Sequence, residues 1–198
     1  MKKQIIVTIC REYGSAGHFI AKHLAAEMEI PIYNKDYLLD MCSKFGYTRE
    51  VMEKYDERPV RIFMSKRRGH YTNSVEQIIY DKIASFIRER AESGESFVVV
   101  GRCSDHILRN NPNAVHIFVT GNMKEKIKRI SELYNLSRED AIDIIKKKDR
   151  KRRNFHNRHS DRKWGDSRAY HMCINAASIG IENAVGIIRS YVEAFKNE

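Results

Sequence analysis

The sequence predicts an α/β protein built on a mostly parallel sheet. Strand-like and helix-like segments alternate along the 198 residues, the pattern that parallel sheets with crossover helices produce. The runs Phe97-Val98-Val99-Val100 and Val115-His116-Ile117-Phe118-Val119 are nearly continuous apolar stretches, as expected of strands buried on both faces. A third apolar run, Ile5-Ile6-Val7-Thr8-Ile9, leads through a turn containing Gly14 and Gly17 into Phe19, Ile20, Leu24 and Met28 at helical spacing. Strand, glycine turn and helix is the setting in which backbone amides cradle phosphate.

The expected strands are Gln4–Cys10, Ile30–Tyr33, Phe97–Gly101, Val115–Thr120 and His171–Asn175. Helices fill the gaps. Ser15–Glu29 follows the glycine turn, and Lys35–Lys44 follows the second strand. Val75, Ile78, Ile79, Ile83, Phe86 and Ile87 form one stripe within a helix from Asn73 to Ser93, which stops before Gly94. Asn122 with Glu125, and Ser137 with Asp140, have the spacing of helix starts. A last helix runs from about Ile181 to Phe195. Tyr55–Thr72 and Asn154–Ala169 show no clear period, and each is expected to be a mobile flap between ordered elements.

Composition bounds the function. With 42% hydrophobic and 31% charged residues the chain reads as a globular protein, and 198 residues suit one domain. The apolar segment after Met1-Lys2-Lys3-Gln4 is too short for a secretory signal, and no stretch approaches the ~20 apolar residues of a membrane span; a cytoplasmic location is expected. Cys10, Cys42, Cys103 and Cys173 are scattered without a C-x-x-C pair, so neither a disulfide framework nor a protein-held metal is expected. The net charge of +10 is uneven. Eleven Lys or Arg against Asp149, Asp161 and Asp166 place +8 of it between Lys146 and Arg168. A solvated helix end, a nucleic-acid patch or closure over a small polyanion would each account for that block.

Three places carry candidate chemistry. The stretch "CREYGSAGHFIA" lacks the lysine of a G-x-x-x-x-G-K-[ST] loop: His18 stands in its place, and Phe19 replaces the hydroxyl residue that would hold magnesium. Its backbone N–H groups around Gly14–His18, at a helix start, can still form an anion concavity; an ordinary strand-to-helix turn is the alternative. In "VVVGRCSDHILR", Gly101-Arg102 ends a buried strand, at the sheet edge where α/β proteins bind ligands. Arginine there would fork onto phosphate, or pair with a surface carboxylate. In "KKDRKRRNF", Asp149 and Arg152 share one helix face and Arg150 and Arg153 another, a supply of positive charge for a transferring phosphoryl group or a plain solvated helix.

Taken together these stretches resemble the cytidylate kinase-like proteins, a branch of the P-loop nucleoside monophosphate kinases. "CREYGSAGHFIA" is similar to that family's S-R-E-x-G-S-G-G-R-x-I-A, "IPIYNKDYLL" to I-P-x-Y-D-K-E-L-[IL], and "VVVGRCSDHIL" to V-x-x-G-R-x-[AS]-D-x-[IV]-L. "DRKRRNF" and "KWGDSRAYHMCINAASIGIENAVGII" resemble D-x-x-R-x-x-Y and W-G-D-x-x-x-Y-D-L-x-[LI]-N-T-x-x-x-G-x-E-x-A-V. The departures are His18 for arginine, Asn34 for aspartate, Phe155 for tyrosine and His171 for aspartate.

The resemblance implies a P-loop NTPase-type three-layer α/β/α fold with a mostly five-stranded parallel sheet. It implies one domain over residues 1–198, with a monophosphate-binding flap at 34–75 and a basic lid at 146–169. Arg11, Gly14, Ser15, Ala16, Gly17 and His18, with Arg150 and Arg153, would bind nucleotide phosphates. Arg102, Asp149, Arg152 and His18 would be catalytic, and Asn34, Lys35 and Asp36 would bind the acceptor. The implied activity is transfer of a phosphoryl group from ATP to a nucleoside monophosphate, with Mg2+ held by nucleotide oxygens and no metal ligand from the protein. A catalytically silent nucleotide-binding regulator is the alternative. An RNA-binding protein ranks below both, because few aromatics accompany the basic run; a homo-oligomer through Tyr55–Thr72 is compatible with either leading reading.

Overall fold

A computed structural model describes residues 3–43, 67–68, 71–72 and 75–197. Its centre is β1 (Ile6–Arg11), hydrogen-bonded on one side to β5 (Phe97–Val100) and on the other to β6 (Ala114–Thr120). The short β2 (Ile32–Tyr33) extends the sheet beyond β5, and β7 (Met172–Asn175) extends it beyond β6. The order is β2-β5-β1-β6-β7, and all four pairings are parallel. Arg67–Arg68 (β3) and Tyr71–Thr72 (β4) pair separately as an antiparallel ribbon that the sequence does not announce.

Residue alternation divides the core between the two faces of this sheet. Ile5, Val7 and Ile9 pack with Ile20 and Leu24 of α1 (Gly17–Glu27) and with Val185, Ile188 and Val192 of α8 (Ile181–Asn197). Ile6, Phe97 and Val99 face the other way, onto Ile79, Ile83, Phe86 and Ile87 of α3 (Val75–Glu92) and Leu38 of α2 (Lys35–Ser43). A three-layer α/β/α arrangement results. The two expected apolar runs occupy its central strands, where both faces are covered.

Between β5 and β6 lies a short helix, α4 (Ser104–Ile107). Two helices follow β6, α5 (Met123–Tyr134) and α6 (Arg138–His159). Both begin on the expected caps: the Asn122 side chain accepts from Glu125 N at 3.0 Å, and Ser137 Oγ from Asp140 N at 3.0 Å. Ile127 and Ile130 of α5 meet Ala141 and Ile145 of α6 in a separate small core. After α6 come a 3-10 turn at Ser167–Ala169, β7, and the short α7 (Ala176–Ile179).

Most expected boundaries shift by one or two residues, as with β1 and α1. A larger change falls in the irregular segment expected at Asn154–Ala169, because α6 continues without a break to His159. Its basic last turn opposes the negative end of the helix dipole, and His156 is buried there against Asp105. Most of the expected 34–75 flap, including Tyr55–Thr72 apart from the ribbon residues Arg67, Arg68, Tyr71 and Thr72, lies outside the described residues.

Candidate active site

The chain runs from β1 outward to β2, returns to β5, and crosses to β6 on the far side of β1. A crevice is expected at the carboxyl ends of the strands where the direction of winding reverses. The turns after β1 and β5 both lie at that edge.

The turn after β1 is shaped by backbone conformations that an ordinary side chain resists. Gly14 has φ +81° and Ala16 φ +67°. Gly17 admits no side chain, since a Cβ there would stand 2.5 Å from Arg11 Cβ. Ala16 is the N-cap of α1 but supplies no side-chain cap, and the first turn of the helix contains no acidic residue. The leading N–H groups of α1 therefore remain available to an anion from outside, with the helix dipole behind them.

A buried charge cluster holds this loop from below. Glu12 Oε2 accepts from Thr120 Oγ1 at 2.8 Å, from Gly121 N at 3.2 Å and from Lys126 Nζ at 3.1 Å. The same ammonium donates to Asp149 Oδ2 at 3.0 Å, while Asp149 Oδ1 accepts from Tyr13 N at 2.6 Å. The Lys126 side chain is only 4% exposed. Arg129 Nη1 donates to Gly14 O at 3.1 Å, and Arg152 Nη1 to Arg11 O at 3.0 Å. Asp149 thus fastens the loop and Lys126; it is not seen orienting the arginine with which it shares a helix face.

The turn after β5 is more strained. Gly101, Arg102 and Cys103 are three consecutive left-handed residues with φ +72°, +59° and +57°. For the two that are not glycine the conformation costs on the order of 1–3 kcal/mol each. Gly101 suits its positive φ, and the Arg11 guanidinium occupies the space a Cβ would need. Arg102 is 7% exposed, and it meets Arg11 and Arg152 around a cleft of about 20 Å³ that Phe155 and Trp164 also line. Three arginines converge on the strand edge beside an open helix N-terminus. The cleft between these arginines is far smaller than the several hundred Å³ a nucleotide occupies.

The other expected residues are less closely gathered. Ser15 is buried, and its Oγ donates to Glu12 O at 2.9 Å. His18 lies at the exposed start of α1; partial burial, then Arg11 and Lys22, lower its pKa from 6.5, while Asp36 opposes them. That influence places Asp36 near the phosphate loop. Asn34 Oδ1 accepts from Tyr37 N at 3.0 Å, so the residue that replaces the family's aspartate begins α2. Lys35 and Arg150 are exposed, and Arg153 lies over the Trp164 ring at 5.7 Å.

Sequence reading missed Lys126 and the tethering role of Glu12. Lys126 belongs to no motif, and its place under the loop arises only when α5 packs against the turn after β1. Glu12 is legible as a departure from the loop pattern, but its three donors come from residues more than a hundred positions away.

This fold and edge define a nucleotide kinase-like protein of the P-loop class. A family model described as the cytidylate kinase-like family matches residues 6–178. The chain belongs to that family. Among solved structures, an uncharacterized protein from Eubacterium ventriosum ATCC 27560 is 34% identical, with a TM-score of 0.77 over 96% of this chain and 99% of that one. A shikimate kinase from Bacteroides thetaiotaomicron is 14% identical, with a TM-score of 0.57 over 96% and 98%. One from Acinetobacter baumannii, in complex with shikimate, is 12% identical, with a TM-score of 0.55 over 100% and 97%. The last two show likeness of fold alone. No curated protein matches the sequence.

Proposed function

We propose that the chain transfers the γ-phosphoryl group of ATP to a nucleoside monophosphate. The observation that carries this reading is the uncapped N-terminus of α1 opening beside Arg11, Arg102 and Arg152. Such transfer requires little covalent chemistry from a protein; positioning and neutralisation of charge supply most of the rate. The amides at Gly17–Phe19 would receive the donor phosphates, Arg102 and Arg152 would fork onto the transferring group, and Asn34, Lys35 and Asp36 would border the acceptor. Arg150 and Arg153 would approach the phosphates when the 146–169 segment closes.

Magnesium bound to the nucleotide would neutralise phosphate charge. The oxygen donors nearest the loop are already engaged, Ser15 Oγ with Glu12 O and the Glu12 carboxylate with Lys126. Nucleotide oxygens are therefore the ion's main ligands in this reading.

The test is ADP formation with ATP and Mg2+ across a panel of monophosphates and other small phosphate acceptors. Turnover that depends on one added monophosphate is expected, and ADP formation unaffected by every acceptor overturns the kinase reading. A second reading, a nucleotide-binding regulator, draws on the lowered pKa of His18: an imidazole that is neutral at pH 7 supplies no permanent charge where a P-loop lysine would. Nucleotide binding without acceptor-dependent turnover favours it.

A further inference from the structure

The cysteines that have no metal-binding spacing in the sequence do not stay scattered in the fold. Cys103 on the strained turn after β5, Asp105 on α4 and His156 on α6 bring a sulfur, a carboxylate oxygen and an imidazole nitrogen within 4.8 Å of one another. All three residues are at most 3% exposed. His156 Nε2 lies 2.7 Å from Asp105 Oδ2, and Cys10 Sγ donates to Asp105 Oδ1 at 3.2 Å. Cys103 Sγ reaches only the backbone oxygen of His156, at 3.9 Å, and His156 Nδ1 is buried with no hydrogen-bond partner. A carboxylate, an imidazole and two thiols thus lie together, with Cys10, Cys103 and His156 also lining the arginine cleft and His156 Nδ1 left without a partner.

We infer that Cys103, Asp105 and His156, with Cys10 as fourth donor, form a site for a divalent transition ion of the zinc class. Mixed sulfur, nitrogen and oxygen donors select such ions over magnesium and calcium, which take oxygen ligands. Zinc bond lengths of roughly 2.0–2.3 Å place tetrahedral ligand atoms about 3.3–3.8 Å apart. The 2.7 Å Asp105–His156 contact must therefore open; Cys103, Asp105 and His156 already hold their ligand atoms within 4.8 Å, and Cys10, 3.2 Å from Asp105 Oδ1, must turn inward to join them. On binding, the thiol protons of Cys103 and Cys10 and the proton held between Asp105 and His156 leave, and the ion takes their place; no electron is transferred.

Loading would bolt α6 to the turn that carries Arg102. The site uses no residue assigned above to phosphoryl transfer, so it stands or falls apart from that reading.

The experiment is optical titration of the full chain, stripped with a chelator, with Co2+, followed by competition with Zn2+. The expected result is one Co2+ per chain with a thiolate-to-cobalt charge-transfer band, displaced by Zn2+ but not by excess Mg2+, and a rise in unfolding temperature on adding Zn2+. Cys103→Ala is expected to abolish both signals, and Cys173→Ala, which alters an exposed cysteine, to keep them. A parent chain with no band and no zinc-induced rise overturns the site whatever the variants do. So does a band that survives Cys103→Ala and disappears in Cys173→Ala.

Discussion

Lys126 is the residue on which the phosphate loop rests. Its ammonium lies between the Glu12 and Asp149 carboxylates, inside the protein. Removing one member of a buried ion network leaves the others uncompensated, at about 3–5 kcal/mol. Lys126→Met should therefore lower the stability of the chain by that amount in urea unfolding, and weaken nucleotide binding through the loop. His18 acts at the same scale with a different sign. Because its pKa is lowered from 6.5, the imidazole gains charge only as pH falls below that value. Nucleotide affinity should rise on acidification below about pH 6.5 in the parent, and His18→Ala should remove the rise. Arg102→Ala should reduce kcat by about 10²–10³-fold, the scale of losing one preorganised donor to developing charge.

At the scale of elements, the phosphate loop and α6 behave differently under substitution. Gly17→Ala forces Arg11 and the loop apart, because the new methyl would overlap Arg11 Cβ. Its expected effect is weaker ATP binding in calorimetry, with the far-ultraviolet helix signal retained. The helices and strands were largely legible in the sequence, for identifiable reasons. Phe97–Val100 and Ala114–Thr120 are apolar on both faces because both faces are covered, and Asn122 and Ser137 cap their helices by side-chain bonds that depend only on local spacing. The length of α6 was not legible, since its polar last turns are held by a tertiary partner, Asp105, fifty-one positions away. Likewise Gly101-Arg102 could be placed at the strand edge by topology, but the strain of three successive left-handed residues leaves no compositional mark beyond the first glycine.

At the scale of the whole molecule, acid should unfold the protein through its buried histidines. His116, 3% exposed, accepts or donates at Nδ1 with Thr8 Oγ1 at 2.9 Å and stacks on His171. Burial, then the charge of His171, lowers its pKa from 6.5 to about 4. The folded state therefore binds fewer protons than the unfolded chain across that window, and stability falls as pH drops from about 6.5 to about 4. The loss attributable to His116 is on the order of 3 kcal/mol, and a His116→Gln variant should show a flatter dependence in unfolding measured against pH. The single tryptophan offers a second whole-molecule measurement. Trp164 lines the arginine cleft and packs edge-on against Phe118 at 5.2 Å. Adding ATP with Mg2+ should change its emission as the cleft opens, and an unchanged spectrum at saturating nucleotide would mean that the segment stays shut.

Asp149, Arg152 and His156 recur at helical spacing on α6, two turns or about 10 Å from end to end. Asp149 grips the loop after β1 at Tyr13, Arg152 grips the last residue of that strand, and His156 grips Asp105 on α4, just beyond the turn after β5. Because one rigid rod holds both lips of the crevice, neither lip can be released without disturbing the other. Entry of a ligand and exit of a product would then share one activation barrier, and substitutions at either end of the rod should change both rates in proportion.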